Sequence, residues 1–268
     1  MLSSMAAKRS RRPAVAGLFY PAEPGELAAA VRACLRAAAP AAGPPPRALI
    51  APHAGYVYSG EIAGSAYARL APLRGKVRRV VLIGPSHHVP FRGLAVPSAD
   101  AFATPLGDVP VDRAAVERLL ELPQVEERDD AHAREHSLEV QLPFLQEVLG
   151  AFALVPLAAG DASAEEVAEV LELLFDEPGT LVVVSSDLSH YHDYATARRL
   201  DAATSRAIEA LRPEALDFES ACGRVGVNGL LVLARRRGLS ARTLDLRSSG
   251  DTAGPRDRVV GYGAYELA

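Results

Sequence analysis

Apolar runs of strand length alternate along this chain with segments that have helical periodicity. The runs at 49–51, 80–84 and 181–185 are uninterrupted rather than alternating, which is typical of strands covered on both faces. The order of strand-like and helix-like segments favours a parallel or mixed sheet with helices on both sides. The predicted strands are 47–51, 78–84, 152–157, 180–185, 241–246 and 258–266.

The helical segments are identified by the spacing of their apolar residues. The first helical segment has one apolar face, formed by Leu27, Val31 and Leu35, as in an amphipathic helix. Cys34 lies on the same face and is therefore predicted to be a core residue. The pattern as a whole predicts an α/β fold, a single domain with a central mixed, largely parallel sheet flanked by helices. Further helices are predicted near 59–71, 112–121, 137–149, 163–176, 195–211 and 226–237.

Residues 13–268 are predicted to form one domain, because no segment has the composition of a long linker. The segment 38–46 is a proline-rich connector, and 89–110 is predicted to be an irregular excursion with short strands along one edge. Residues 1–12 are predicted to be a disordered, solvated basic tail. Its basic residues are Lys8, Arg9, Arg11 and Arg12.

Composition limits the possible classes of function. The chain has 268 residues, a formal net charge of −4, 49% hydrophobic and 23% charged residues, as in an average globular protein. A mildly acidic chain disfavours nucleic acid as the main partner, because phosphate binding needs a basic face. Without a signal-peptide pattern or a membrane-spanning apolar run, a cytoplasmic location with no membrane partner is expected. Two cysteines, Cys34 and Cys222, are too few for a disulfide framework.

Polar and ligand-forming side chains follow three of the predicted strands. His53 follows the first strand, the pair His87 and His88 follows the second, and Asp187 and His190 follow a third. Ligands of open α/β sheets bind outside the carboxyl ends of the strands, so these side chains are expected to meet at one crevice. Imidazoles separated by tens of residues suit a metal site assembled by the fold, although a single histidine after a strand is more often a surface residue.

Cys222 is the candidate for a further type of metal ligand. It lies just before a predicted helix beginning near Gly226, with Arg224 two residues on. A helix N-terminus and a guanidinium both favour the thiolate, which is the form that binds metal. The alternative is a small buried hydrophobe. Since His87 and His88 are adjacent, an extended segment would turn only one of them toward the crevice, and the spacing does not select which.

The segment after the third strand offers an acid/base pair. Asp187 and His190 have i, i+3 spacing, which places them on one face if the segment forms a helical turn. The carboxylate could then orient the imidazole, and the alternative for Asp187 is a helix N-cap.

Three further residues are candidates for contact with a substrate. Tyr56 lies close to His53 in sequence, with ordinary packing as the alternative, and His136 has no clear structural duty. Glu135 lies beside His136 in a segment where helix capping accounts for most of the pattern. Tyr56, His136 and Glu135 are therefore the predicted substrate-binding residues.

Five short motifs together resemble the Memo family, whose bacterial and archaeal members are called AmmeMemoRadiSam system protein B. The resemblance runs from Ala16 to the C-terminal GYGAYEL and covers nearly the whole chain. The motifs are APHAGYVYSG, GPSHH, EHSLEVQLPF, VVSSDLSH and CGRVG, in that order.

The resemblance implies a fold similar to that of class III extradiol dioxygenases, which are non-heme iron enzymes. It also implies that His53, His87 and Cys222 hold one divalent metal, Fe(II) with copper or zinc as alternatives. Asp187 and His190 would stand beside the metal, with His190 resembling the acid/base histidine of the dioxygenases. Cys222 stands where the dioxygenases use a carboxylate, and a thiolate favours iron or copper redox chemistry over ordinary catechol cleavage.

Two classes of function are consistent with these residues. The first is a mononuclear non-heme metal redox enzyme that acts on a small aromatic molecule, possible because three protein ligands leave open coordination positions. The second is a non-catalytic metal- and peptide-binding adaptor that acts with partner proteins, for which the family resemblance implies a radical SAM protein and an AMMECR1-like protein. A serine hydrolase fits less well, because Ser86 lies outside a GxSxG motif.

Overall fold

In the computed structural model, which describes residues 9–40 and 43–268, helices and strands alternate as the apolar pattern predicts. The α-helices are α1 Pro24–Ala37, α2 Tyr56–Tyr67, α3 Arg113–Leu119, α4 Asp129–Ala133, α5 Leu142–Leu149, α6 Ala164–Phe175, α7 Tyr194–Glu209 and α8 Arg224–Arg237. The strands are β1 Ser10–Arg11, β2 Ala48–Ala51, β3 Arg79–Pro85, β4 Leu94–Val96, β5 Ala101–Thr104, β6 Gly107–Pro110, β7 Val125–Glu127, β8 Ala153–Ala159, β9 Thr180–Ser185, β10 His190–His192, β11 Ala241–Ser248 and β12 Val259–Leu267.

One mixed sheet organises the fold, with the strand order β10-β12-β2-β9-β3-β8-β4-β7 and β11 paired to β12. Its central strands β2, β9, β3 and β8 are parallel to one another. Strand β12 runs antiparallel to β2, and β4 runs antiparallel to β8. The prediction of an α/β fold with a mixed, largely parallel sheet is confirmed.

The central strands are buried on both faces because helices cover both sides of the sheet. Ile50, Leu82 and Val183, one from each of β2, β3 and β9, are fully buried. Helices α6 and α8 pack together and against β9, whereas α1 packs on α2, which in turn lies against β2 and β12. The uninterrupted apolar runs thus have the structural cause that the sequence suggested.

The proline-containing excursion forms short edge elements, as expected. Strand β4 adds to the main sheet, while β5 and β6 form a small separate sheet with β1. Within the part of the chain that the structure describes, no helix is long and apolar enough to cross a membrane.

The prediction of a solvated basic tail is wrong for Arg11. Residues Ser10–Arg11 form β1, which pairs in parallel with β5. The Arg11 side chain is buried and forms an ion pair with Glu139, which is fully buried. Arg9 and Arg12 are exposed as expected, and Lys8 lies outside the described residues. A buried carboxylate needs a buried cation, and this long-range requirement cannot be read from the local charge cluster.

Candidate metal centre and cleft

Three parallel strands deliver their following residues to one cleft. His53 comes two residues after β2, His87 two residues after β3 and Asp187 two residues after β9. All three line a cleft of about 810 Å³, together with His190 and Cys222. The convergence follows from the shared direction of the strands, so five residues from distant parts of the sequence meet at one edge of the sheet.

The tautomer of His53 is determined by the hydrogen bonds behind it. Its Nδ1 lies 2.8 Å from Ser185 Oγ. The Ser185 hydroxyl donates its single proton to the Ser137 carbonyl (2.6 Å) and accepts from Gln141 Nε2 (2.8 Å), which also donates to the Pro52 carbonyl (3.0 Å). His53 Nδ1 must therefore be the donor toward Ser185. The Nε2 atom consequently carries the lone pair. A neutral imidazole with such a free lone pair is the form that binds a metal.

His87 is oriented in the same way by a carboxylate. Glu135 Oε1 lies 2.9 Å from His87 Nδ1, and Glu135 Oε2 accepts the backbone N–H of His87 at 2.6 Å. Burial alone would raise the pKa of Glu135, but the hydrogen bonds from His87 hold it well below its usual range. The ionised carboxylate must accept from Nδ1, so the neutral form of His87 also has its lone pair on Nε2.

His136 joins the two other imidazoles. Its ring stacks on that of His87, with centroids 4.7 Å apart, and lies 5.5 Å from that of His53. Each of the three histidines offers a ring nitrogen, and these nitrogens lie within 4.8 Å of one another. The sequence predicts that His136 contacts a substrate. Its position in this cluster would also allow it to bind a metal ion.

Two imidazoles of this cluster, those of His53 and His136, are set up as neutral ligands. Burial, assisted by the neighbouring His87, lowers the pKa of His53 to about 3. Burial and the nearby His53 lower the pKa of His136 to about 4. Since only the neutral imidazole coordinates a metal, both rings are in the ligand form at neutral pH.

Cys222 lies beside the same imidazoles. Its Sγ lies 3.3 Å from His53 Nε2 and accepts the backbone N–H of Asp187 at 3.3 Å. The approach depends on Gly223, where a Cβ atom would lie 2.5 Å from the Ser185 carbonyl oxygen. Glycine at this position lets the start of α8 approach the end of β9.

The expectation that local charge favours the Cys222 thiolate is wrong for the metal-free chain. Burial, followed by the nearby Asp187 carboxylate, raises the pKa of the Cys222 thiol well above its usual value. The Arg224 guanidinium stacks on the Phe218 ring at 3.4 Å. Without metal, Cys222 is therefore a thiol.

The helical turn that would place Asp187 and His190 on one face does not form. Residues 186–189 have no regular structure, and His190 begins β10. Asp187 Oδ1 instead accepts the backbone N–H of His53 at 2.7 Å. Among the described residues no hydrogen bond joins Asp187 to His190, so Asp187 positions His53 rather than the imidazole of His190. Both side chains nevertheless line the cleft.

Two of the predicted substrate contacts lie behind the cleft wall. The Tyr56 hydroxyl donates to the Val140 carbonyl at 2.7 Å, and its ring packs 5.0 Å from that of Phe144. Tyr58, two residues further along α2, lines the cleft instead. Glu135 is buried and acts on His87 and His136 rather than facing the cleft. Of the three candidates, only His136 lines the cleft.

Comparison with known proteins identifies the family. The sequence profile described as Memo-like protein matches residues 11–266. The chain belongs to the Memo family. It is similar to MEMO1 family proteins of Thermotoga maritima, with 39% identity over 94% of this chain and 97% of that protein, and of Aquifex aeolicus, with 36% identity over 95% and 97%. A MEMO1 family protein of Archaeoglobus fulgidus is 38% identical over 94% of this chain and 97% of its own length.

A solved structure shares the fold. It is the crystal structure of an uncharacterized protein from Escherichia coli K12, with a TM-score of 0.52 and 16% identity over 80% of this chain and 98% of that chain. At that identity the likeness concerns the architecture of this Memo family member alone. The similarity to class III extradiol dioxygenases stays a prediction.

Sequence reasoning missed the residues that orient His53, a candidate metal ligand. Ser185 is the last residue of β9, and Gln141 ends a short 3-10 turn before α5. Both are fully buried. For Ser185 the local sequence offers one signal, a polar residue at the end of an apolar strand. Its role in orienting His53 can be inferred only when the hydrogen-bond partner is known.

Proposed function

We propose that this Memo family protein binds one divalent metal ion in the cleft and acts as a mononuclear redox enzyme on a small aromatic molecule. The observation that carries the proposal is the shared tautomer of His53 and His87. Each ring commits its Nδ1–H to a fixed acceptor, Ser185 or Glu135, which leaves Nε2 as a lone-pair donor. Outer hydrogen bonds of this kind are the usual support of metal-binding histidines.

The donor set fits a borderline metal ion better than a hard one. Neutral imidazoles with a thiol beside them suit iron, copper or zinc rather than magnesium or calcium, which prefer oxygen ligands. Fe(II) is proposed, with copper or zinc as alternatives. The third ligand is proposed to be Cys222, whose Sγ lies 3.3 Å from His53 Nε2, and His136 is the competing candidate.

A matched pair of variants separates the two third ligands. Cys222→Ser should weaken metal binding strongly and His136→Ala only slightly, as measured by competition with a chelator. A thiol ligand must lose its proton on binding, so the affinity of the wild type should increase with pH. The reverse order of the variants would assign the third position to His136.

A bound iron or copper ion would supply redox chemistry that amino-acid side chains cannot provide. The protein supplies the surroundings. The walls of the cleft are largely apolar and exclude water from one end, where His53 and Asp187 are buried. His190, also in the wall, is proposed to hold or transfer a proton of the substrate.

Oxygen uptake by the iron-loaded protein, measured with a panel of catechols, tests the catalytic proposal. His190→Ala should retain the metal while turnover falls by about 10²- to 10⁴-fold, the range for loss of a positioned general acid or base. Metal loss in this variant would make His190 a ligand. Unchanged turnover would remove its proton-transfer role.

The adaptor function is the second candidate, and the mouth of the cleft favours it. Leu18 and Phe218 line the cleft and are 80% and 83% exposed, more than large apolar side chains usually are. Tight binding of a peptide with no turnover of any catechol would support this alternative. The metal site would be the same in both cases.

A further inference from the structure

The wall of the cleft carries a single basic side chain of the arginine or lysine type among the described residues. This is Arg258, immediately before β12. The surrounding wall is mostly apolar or aromatic, including Val57, Tyr58 and Tyr262. A guanidinium in such a setting is a strong determinant of which ligand the cleft accepts, because it is the one side chain of permanent positive charge among the described residues of the wall.

Arg258 is held over the cleft by an unusual aromatic residue. The Cζ atom of Arg258 lies 4.5 Å from the centre of the Tyr191 ring. Tyr191 has a φ of 63° and is 63% exposed, a conformation that costs a bulky residue about 1 kcal/mol or more. It lies where the pairing of β10 with β12 shifts register, between His190 and His192.

The irregular pairing gives Tyr191 a position that a regular strand would not. An extra residue in one strand redirects side chains, and such bulges recur beside active sites. The Tyr191 ring lies 5.7 Å from that of His190, the proposed proton-transfer residue. The strained residue thus brings Arg258 and His190 to the same part of the cleft.

The charge of Arg258 is left available for a ligand. No ion pair links it to an acidic side chain in residues 9–40 and 43–268. The carboxylate that lines the cleft, Asp187, instead accepts the backbone N–H of His53. The neighbouring Arg256, by contrast, has a guanidinium nitrogen 3.9 Å from Asp251 Oδ1 and lies over the Tyr194 ring. It is not part of the cleft wall.

We propose that Arg258, positioned by Tyr191, binds the carboxylate of a small apolar acid whose hydrocarbon body lies against the aromatic wall of the cleft. The guanidinium presents a planar fork of donors that matches a carboxylate. The cleft volume of about 810 Å³ suits a small molecule. This inference rests on the proposed function, since it names the substrate class of the same cleft.

The test compares two probes of the same shape, hydrocinnamate and its neutral amide, by ligand-observed NMR titration. The wild type should bind the acid about tenfold more tightly, as expected for one charge-assisted hydrogen-bonded pair. Arg258→Gln should remove the preference. Arg256→Gln, which removes the same charge two residues away, should keep it.

Three outcomes would overturn the proposal. They are equal binding of acid and amide by the wild type, a preference that survives Arg258→Gln, and no detectable binding of either probe at millimolar concentration. Metal content is measured on the same samples. A wild type that binds metal but shows no preference for the acid would contradict the Arg258 assignment alone. A wild type that prefers the acid but binds no metal would contradict only the proposed function.

Discussion

Glu135→Gln tests the claim that the proposed metal-binding histidines are oriented by hydrogen bonds on the side of the ring away from the cleft. In the wild type, Glu135 Oε1 is reached by His87 Nδ1 (2.9 Å) and by the backbone N–H groups of His136 (2.9 Å) and Ser137 (2.8 Å). Oε2 accepts the backbone N–H of His87 at 2.6 Å. A glutamine has one acceptor oxygen, so its best orientation keeps the three bonds at the Oε1 position and turns an NH₂ group against the N–H of His87.

The cost of that substitution has two parts. The backbone N–H of His87 loses its acceptor and meets an NH₂ group held on a buried side chain, which should lower the free energy of unfolding by about 1–3 kcal/mol. The remaining bond to His87 Nδ1 loses its charge assistance, so the imidazole becomes a weaker donor and metal affinity should fall by about 10- to 100-fold. Glu121→Gln, at an exposed residue, is the matched control.

Metal affinity is measured by competition with a chelator, and stability by urea unfolding of the metal-free protein. Glu135→Gln should lose both stability and metal affinity, whereas Glu121→Gln should lose neither. A variant that is destabilised but binds metal with wild-type affinity would refute the orienting role. Unchanged stability would refute the hydrogen-bond account itself.

Two further predictions concern buried charges outside the cleft. Arg11→Gln leaves the Glu139 carboxylate without its buried cation and should destabilise the fold by about 3 kcal/mol, whereas the exposed Arg12→Gln should change unfolding by less than about 0.5 kcal/mol. Burial raises the pKa of Asp201 from 3.8 to about 6. The folded state therefore holds this proton more tightly than the unfolded state, so stability should fall by up to about 3 kcal/mol between pH 4 and pH 6. Asp201→Asn should remove that part of the pH dependence in urea titrations at several pH values, and an unchanged slope would contradict the assignment.

The main elements and the place of the site were predictable, because both follow from local patterns. Uninterrupted apolar runs predict central strands, and the residues that follow parallel strands meet at one edge of the sheet. This reasoning placed His53, Asp187, His190 and one of the two adjacent histidines at one crevice, and these side chains do line one cleft. Cys222, which lines the same cleft, was a candidate because it precedes a predicted helix, and the choice of His87 over His88 came from the family resemblance.

The contacts behind the site were not predictable, because they join residues that are distant in sequence. Ser185 contacts His53 across 132 positions, and Arg11 contacts Glu139 across 128. Tyr56 was misplaced for the same reason, since the carbonyl that accepts its hydroxyl belongs to Val140. The bulge at Tyr191 depends on the register of β10 against β12, which no local pattern contains.

The most direct test of the metal site uses the two adjacent histidines. Both residues are exposed, but His87 lines the cleft with its Nδ1 held by Glu135, whereas His88 lies outside the cleft wall. Elemental analysis of anaerobically purified, iron-loaded protein should give one metal ion per chain for the wild type and for His88→Ala, and much less than one for His87→Ala. Full metal occupancy in His87→Ala, or metal loss in His88→Ala alone, would contradict the account.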